Sequence, residues 1–299
     1  MCGIVGLFIK NPQFESELGQ MISVMLEVMT DRGPDSAGFS IYGEGHKASI
    51  KISLRGSDGT DFISIASGLE AVAGQAIPLT IRSSHAILTV PADRETAVRT
   101  VLAEQHPGIS VVGSGQRMEI YKEVGLPADV AARFDLAGMA GTHAIGHTRM
   151  ATESAVTTAG AHPFSTGMDQ CLVHNGSLSN HNVLRRKLTC EGIRFTTDND
   201  SEVAAGYLTW RMRQGDSLKD ALIGSLDALD GFFTFVVGTE TGFAVLRDPI
   251  ACKPAVMAET DDYVAFGSEY RVLADLPGIA KAKVWEPKPA TVYSWERAA

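Results

Sequence analysis

Two hydrophobic periods alternate along the chain. After Leu18, residues Met21, Ile22, Met25, Leu26 and Met29 fall three, four, seven, eight and eleven places on, which is one face of a helix. The same spacing predicts helices near 180–190, 201–213 and 217–229, the last carried by Leu218, Ala221, Leu222, Ser225 and Leu229. Short apolar runs bounded by turn residues predict strands at 3–9, 39–42, 144–148, 171–174, 232–237, 243–246, 263–266 and 291–295. Asn11-Pro12 closes the first strand, and Asp31-Arg32-Gly33-Pro34-Asp35 closes the first helix with turn chemistry.

Residues 44–140 follow a looser pattern. Strands are predicted at 50–54 and 85–90, then a helix opened by Pro91 with Ala97, Val98, Val101 and Leu102 inward, then a hairpin of 109–112 with 118–121. Gly113-Ser114-Gly115 lacks the third glycine of a dinucleotide fingerprint and reads as a turn. This β-α-β-β stretch is expected to form a small inserted α+β lobe. Strands, then helices, then strands again lack regular βαβα alternation and suit an α+β fold with helices covering antiparallel sheets.

Composition narrows the partners. The 299 residues carry 26 Lys and Arg against 35 Asp and Glu, a formal net charge of −9. Nucleic acid and anionic membrane both select a basic face, so neither is expected as a partner. Four cysteines, at 2, 171, 190 and 252, are too scattered for a disulfide framework and fit a reducing, cytoplasmic setting. No basic leader precedes the short apolar run at the N-terminus, so no signal peptide is expected.

Cys2 carries the most chemistry. Removal of Met1 places a thiol and a free α-amine on one residue. The thiolate is the nucleophile, and an α-amine with a pKa of about 7.7–8.0 is partly neutral at neutral pH and can take the thiol proton. Nucleophile and base then share a residue. Taken alone, Cys2 reads as a small buried residue at the start of a strand.

Cys2 is not alone. Cys2-Gly3-Ile4-Val5-Gly6 is followed by Arg32-Gly33-Pro34-Asp35-Ser36, Gly146-His147-Thr148-Arg149-Met150-Ala151-Thr152, Ala161-His162-Pro163, His174-Asn175-Gly176 and Asp200-Ser201-Glu202-Val203. Arg247-Asp248-Pro249 with Lys253-Pro254, and Gly267-Ser268-Glu269, complete the series. In this order the set resembles the class II glutamine amidotransferases, over residues 1–43 and about 140–275. The resemblance implies a four-layer αββα N-terminal-nucleophile hydrolase sandwich spanning 1–299, with an insertion at about 44–140.

It also implies roles. Cys2 is the nucleophile, and the Asn175 amide with the Gly176 backbone N–H forms the oxyanion hole. Alone, Asn-Gly reads as a hairpin turn. Arg149 suits the α-carboxylate of glutamine, since its planar fork pairs bidentately, and Asp200 suits the ammonium. The plain alternatives are a surface ion pair for Arg149 and a helix N-cap for Asp200. His162 is placed near the same pocket, and Arg32 and Asp35 support the Cys2 loop. Met150 stands where related enzymes often carry an aromatic residue that gates ammonia. Ala251, Cys252 and Lys253 depart from the family's usual Gly, Ile and Arg, and that loop is expected to be structural.

No metal or cofactor site is expected in this chain. His143 and His147 read as strand residues, and Cys171 and His174 would face opposite sides of a strand. The expected activity is hydrolysis of L-glutamine through a Cys2 thioester to glutamate and ammonia. With no room for a synthase domain, the chain resembles a free-standing subunit for glutamate-synthase-like partners in a hetero-oligomer, which carry FMN and iron–sulfur clusters. Its length and motif wording are most similar to the amidotransferase subunit of N-methylglutamate synthase, which joins methylamine to glutamate. The alternatives are a catalytically silent binding or regulatory subunit and a stand-alone N-terminal-nucleophile amidase.

Overall fold

Strand alternation sorts the apolar residues into layers. The computed structural model describes residues 2–151 and 155–297; Met1 and Thr152, both named above, lie outside the described residues. In β1 (Gly3–Ile9), Val5, Leu7 and Ile9 face one way and Ile4 and Phe8 the other. The first set packs under helix α1 (Leu18–Val28), whose predicted face of Met21, Ile22, Met25 and Leu26 is buried. The second set faces another sheet.

The chain continues through β2 (Ser36–Tyr42), β3 (Ser49–Arg55), α2 (Phe62–Ala73), β4 (Leu79–Arg82), β5 (His85–Pro91), α3 (Glu95–Gln105), β6 (Ser110–Gly115), β7 (Met118–Val124) and α4 (Pro127–Arg133). Next come β8 (His143–Arg149), β9 (Phe164–Gly167), β10 (Gln170–Leu178), α5 (His181–Cys190), α6 (Asp200–Arg213) and α7 (Leu218–Ala228). The last strands are β11 (Gly231–Gly238), β12 (Gly242–Arg247), β13 (Val256–Glu259), β14 (Tyr263–Gly267), β15 (Lys283–Trp285) and β16 (Val292–Glu296).

A seven-stranded sheet, ordered β15-β13-β14-β1-β8-β2-β7, faces a five-stranded sheet ordered β16-β12-β11-β10-β9. Between them lie Ile4, Phe8, Tyr42, Ile145, Val173, Val236, Phe243 and Phe266, a core drawn from both inner faces. Helices α1 and α4 cover the outside of the large sheet, and α5, α6 and α7 cover the outside of the five-stranded one. The result is four layers, αββα.

The third sheet, ordered β4-β5-β3-β6, is antiparallel throughout. With α2 and α3 it forms a complete β-α-β-β-α-β unit. Ile50, Ile52, Leu54 and Leu88 face Phe62, Leu69, Val98 and Leu102 of the two helices. The opposite face rests on β7: Lys51 pairs with Glu119 at 2.7 Å, and Ser53 Oγ accepts the Ile120 N–H at 3.1 Å.

Several expectations change here. The small sheet spans 49–115, within the insertion expected at about 44–140. The segments 109–112 and 118–121 are not a hairpin, because β6 belongs to the small sheet and β7 to the large one. Asp169 makes that break by accepting the N–H groups of Gln116, Arg117 and Met118 at 2.7–3.0 Å. Gly113-Ser114-Gly115 is strand, not turn. The strand expected at 171–174 runs on to Leu178, so Asn175-Gly176 lies inside it, held by pairing with Thr234 and Phe233.

Candidate active site

Cys2 sits half-buried at the mouth of β1, one step beyond the Gly3–Thr148 pair, which places it alongside Arg149 of β8. Three distant segments close on it. Arg32 Nε donates to the Cys2 carbonyl at 3.0 Å, and Asn175 Nδ2 donates to the same oxygen at 3.1 Å. The Met150 carbonyl lies 4.0 Å from Cys2 Sγ.

The turn after α1 is fastened from several sides. Arg32 Nη1 reaches Glu269 at 2.8 Å, so one guanidinium ties Cys2 to the end of β14. Asp35 donates its N–H to the Arg149 carbonyl at 3.1 Å and accepts the Ala151 N–H at 2.8 Å. Gly33 is required here, because a Cβ would lie 2.3 Å from the Thr148 carbonyl carbon. Ser268 Oγ accepts the Ile4 N–H at 2.9 Å and so fixes the first turn of β1 chain from the other side.

The Asn175 amide carries two N–H groups. One is engaged by the Cys2 carbonyl; that bond fixes the amide plane and leaves the second N–H for another acceptor. Gly176 abuts β11 so closely that a Cβ would lie 2.0 Å from the Phe232 carbonyl oxygen. Asp200 is the first residue of α6. The N-cap is Asn199, whose side chain accepts the Ser201 N–H at 2.8 Å, so the cap expected at Asp200 falls one residue earlier. Asp200 Oδ2 instead accepts the Leu178 N–H at 2.9 Å, tying α6 to the end of β10.

Arg149 is buried, with Nη1 3.4 Å from the Ala155 carbonyl. His162 lies one layer in: its ring stacks on His147 with centroids 3.9 Å apart and meets Phe164 edge-on. His147 Nε2 bonds the His174 carbonyl at 3.0 Å, and His174 Nδ1 bonds Ser201 Oγ at 2.8 Å. Burial pushes His147 down to about 3 and His162 well below the usual histidine range, so both rings are neutral. The structure thus brings Arg32 and Asn175 directly onto Cys2, ties Asp35 to the Arg149 backbone beside it, places His162 behind them on His147, and sets Asp200 at the end of β10.

The other sequence candidates fall elsewhere. Cys171 is fully buried between the sheets, bonded to Ser40 and Tyr42, and burial pushes its thiol up to about 11, so it is inert. Among the described residues no three His, Cys, Asp or Glu side chains gather as a metal site. Asp248 accepts the N–H groups of Phe233, Ile250 and Ala251, and Arg247 bonds the Lys253 and Pro287 carbonyls, which makes the Arg-Asp-Pro loop a structural knot.

The arrangement has known counterparts. A family profile described as a glutamine amidotransferase domain matches residues 147–275. The glutamine amidotransferase-like protein GlxB of Rhizobium meliloti is 61% identical over 297 residues, covering 99% of this chain and 98% of that one. The chain belongs to the class II glutamine amidotransferases. A glutamine–fructose-6-phosphate aminotransferase of Xylella fastidiosa is 39% identical, but over 44% of this chain and 22% of its own length. Among solved structures, one titled the allosteric regulatory enzyme of purine biosynthesis superposes with a TM-score of 0.62 at 21% identity. It is matched over 99% of this chain and 49% of its own, so this chain spans about half of it. The fold is that of the N-terminal-nucleophile hydrolases. No helix among the described residues is long and apolar enough to cross a membrane.

Sequence reasoning missed one buried cation that this amidotransferase places beside its site. Lys122 of β7 donates to the carbonyls of Ala159, Ala161 and Pro163 and lies 4.7 Å from the Phe164 ring centroid. It fixes the segment that carries His162. Burial pushes its ammonium down to about 8. The signal was present: Met118, Ile120 and Lys122 share one strand face, and a lysine on an otherwise apolar face marks a buried polar contact.

Proposed function

We propose that this amidotransferase is a glutaminase whose nucleophile is Cys2, exposed as the N-terminus by removal of Met1. The observation that carries this reading is the meeting of Cys2 with the Asn175 amide at 3.1 Å, within a full-length match to a glutamine amidotransferase-like protein. The Cys2 thiol gives its proton to its own α-amine. The thiolate attacks the side-chain carboxamide carbon of glutamine, and the second Asn175 N–H and the Gly176 N–H meet the oxyanion. The C–N bond then breaks, the ammonium returns a proton to the leaving nitrogen, and ammonia departs from a γ-glutamyl thioester. Water hydrolyses that thioester to glutamate and regenerates the thiol.

In this reading Arg149 holds the substrate carboxylate and Asp200 its ammonium. The Asp200 carboxylate is oriented by Leu178 and keeps Oδ1 toward Ser201 at 3.3 Å. His162 shapes the pocket from behind through its stack on His147, and Arg32 and Asp35 hold the Cys2 turn. Met150, exposed beside Cys2, stands where related enzymes often carry the aromatic residue that gates ammonia. The ammonia then passes to glutamate-synthase-like subunits bearing FMN and iron–sulfur clusters, with N-methylglutamate synthase as the specific assignment.

The test is intact-protein mass after brief exposure to a glutamine-analogue electrophile. Loss of the Met1 mass and a single adduct on Cys2 are expected. A retained Met1 with no adduct overturns the reading and leaves a silent subunit. Turnover of amides that lack an α-amino-acid end, at rates matching glutamine, supports the stand-alone amidase instead.

A further inference from the structure

A cavity of about 220 Å³ opens where the small sheet meets the large one, lined by Arg55, Ser57, Asp58, Ser84, Glu123 and Arg133. It is far from neutral in its local pairing. Arg133 is answered by Asp58 and by the Ser83 hydroxyl. Arg55 is different: its side chain lines the cavity and makes no hydrogen bond or ion pair among the described residues.

Glu123 stands on the other sheet. Its Oε1 accepts from Thr158 and from the Val124 N–H, and its Oε2 accepts from Ser84 at 3.1 Å. Burial pushes this carboxyl up, but those hydrogen bonds, helped by the nearby Arg133 charge, outweigh burial and hold it below the usual range, so it is ionised. No cation lies within ion-pair distance of it among the described residues. Arg55 and Glu123 therefore share one cavity, carry opposite charges, and do not meet. A ligand that complements them carries a carboxylate for the Arg55 fork and an ammonium for Glu123 Oε2.

We propose that this junction between Arg55 and Glu123 is a binding site for a small α-amino acid, separate from the pocket at Cys2. It joins the small β-α-β-β-α-β unit to the core, so the occupant touches both. Through Glu123 it also touches Thr158, on the segment whose Ala155 carbonyl receives Arg149.

The experiment is calorimetric titration of the full chain with glycine, L-glutamate and L-glutamine, and with acetate and inorganic phosphate as singly functional anions. Wild type, Arg55→Gln, Glu123→Gln and Arg149→Ala are compared, with melting curves to confirm that each is folded. Amino-acid binding that survives Arg149→Ala and weakens at least about tenfold in Arg55→Gln and in Glu123→Gln is expected. Unchanged binding in Arg55→Gln overturns the site. Acetate or phosphate binding as tightly as the amino acids overturns the zwitterion and leaves a simple anion site. Should Glu123→Gln unfold, Ser84→Ala, which leaves the carboxylate in place, still reports on the cavity: weakened amino-acid binding supports the site and unchanged binding with Arg55→Gln also silent overturns it. The result is independent of the glutaminase reading, which the mass of Cys2 decides.

Discussion

The Cys2 site and the small sheet are built in opposite ways. Around Cys2, residues 2, 32, 149 and 175 arrive from four parts of the chain, and the side chains of Arg32 and Asn175 meet at the Cys2 carbonyl. The small sheet comes from one continuous stretch, 49–115, and its core of Ile, Leu, Val and Phe needs only size and periodicity. Chemistry leaves an ordered trail of motifs in a sequence, whereas packing leaves only a pattern. A family resemblance is therefore easy to trace through the first region and silent in the second.

Substitutions sharpen that contrast. Cys2→Ala removes the proposed nucleophile, and complete loss of glutamine turnover and of electrophile labelling is expected with an unchanged melting curve. Asn175→Ala is expected to lower kcat by about 10²–10³, the usual loss for one oxyanion donor, with a smaller change in KM; a wild-type kcat breaks the assignment. In the small sheet the balance inverts. Leu88→Ala empties a fully buried position and is expected to cost about 2–5 kcal/mol in urea unfolding, while kcat per folded molecule stays the same. A fall in kcat there shows that the two regions are coupled.

Acid reads both regions at once. Burial pushes His85, at the base of the small sheet, and His143 and His147, in the core, down to about 3. Their folded pKa values lie below the unfolded one of about 6.5, so the unfolded chain binds more protons between those limits. Stability is full above about pH 6.5 and falls as pH drops, by up to about 1.4 kcal/mol per pH unit for each ring. Unfolding midpoints at pH 7 and pH 5 check this, and equal midpoints contradict neutral burial. The smallest expected effect is at the cap of α7: Ser217 Oγ accepts the Asp220 N–H at 3.1 Å, and Ser217→Ala is expected to cost about 1 kcal/mol with no change in kcat.

The helices α1, α5, α6 and α7 were legible because each carries a strong face or clean turn signals at its ends. Helix α2 was passed over although Phe62, Ile65, Ala66 and Leu69 are helix-spaced after the Asp61 cap. Its Gly, Ser and Ala content dilutes the apolar stripe. The extension of β10 through Asn175-Gly176 was not legible, because local turn preference there is overridden by eight paired residues along β11. At the candidate site, the sequence offered residue types and their order. Their mutual contacts were not legible: nothing in the sequence shows that Arg32 and Asn175 share the Cys2 carbonyl, or that Lys122 holds three carbonyls from below.

Tyr42 and Met118 are paired neighbours in β2 and β7, so the whole intervening segment occupies the place of a hairpin loop. Left unstructured, a loop of roughly 75 residues would raise the closure cost over a four-residue turn by about 2–3 kcal/mol. Here the small sheet brings its own ends together. Lys51 of its first strand pairs with Gly115 of its last, and just outside it Gly43 and Arg117 exchange bonds at 3.1 and 2.8 Å. The segment's ends are thus held together by its own strands as well as by the pairing of β2 with β7. The large sheet thereby carries a long detour in sequence whose two ends leave it side by side, as the ends of a short turn would.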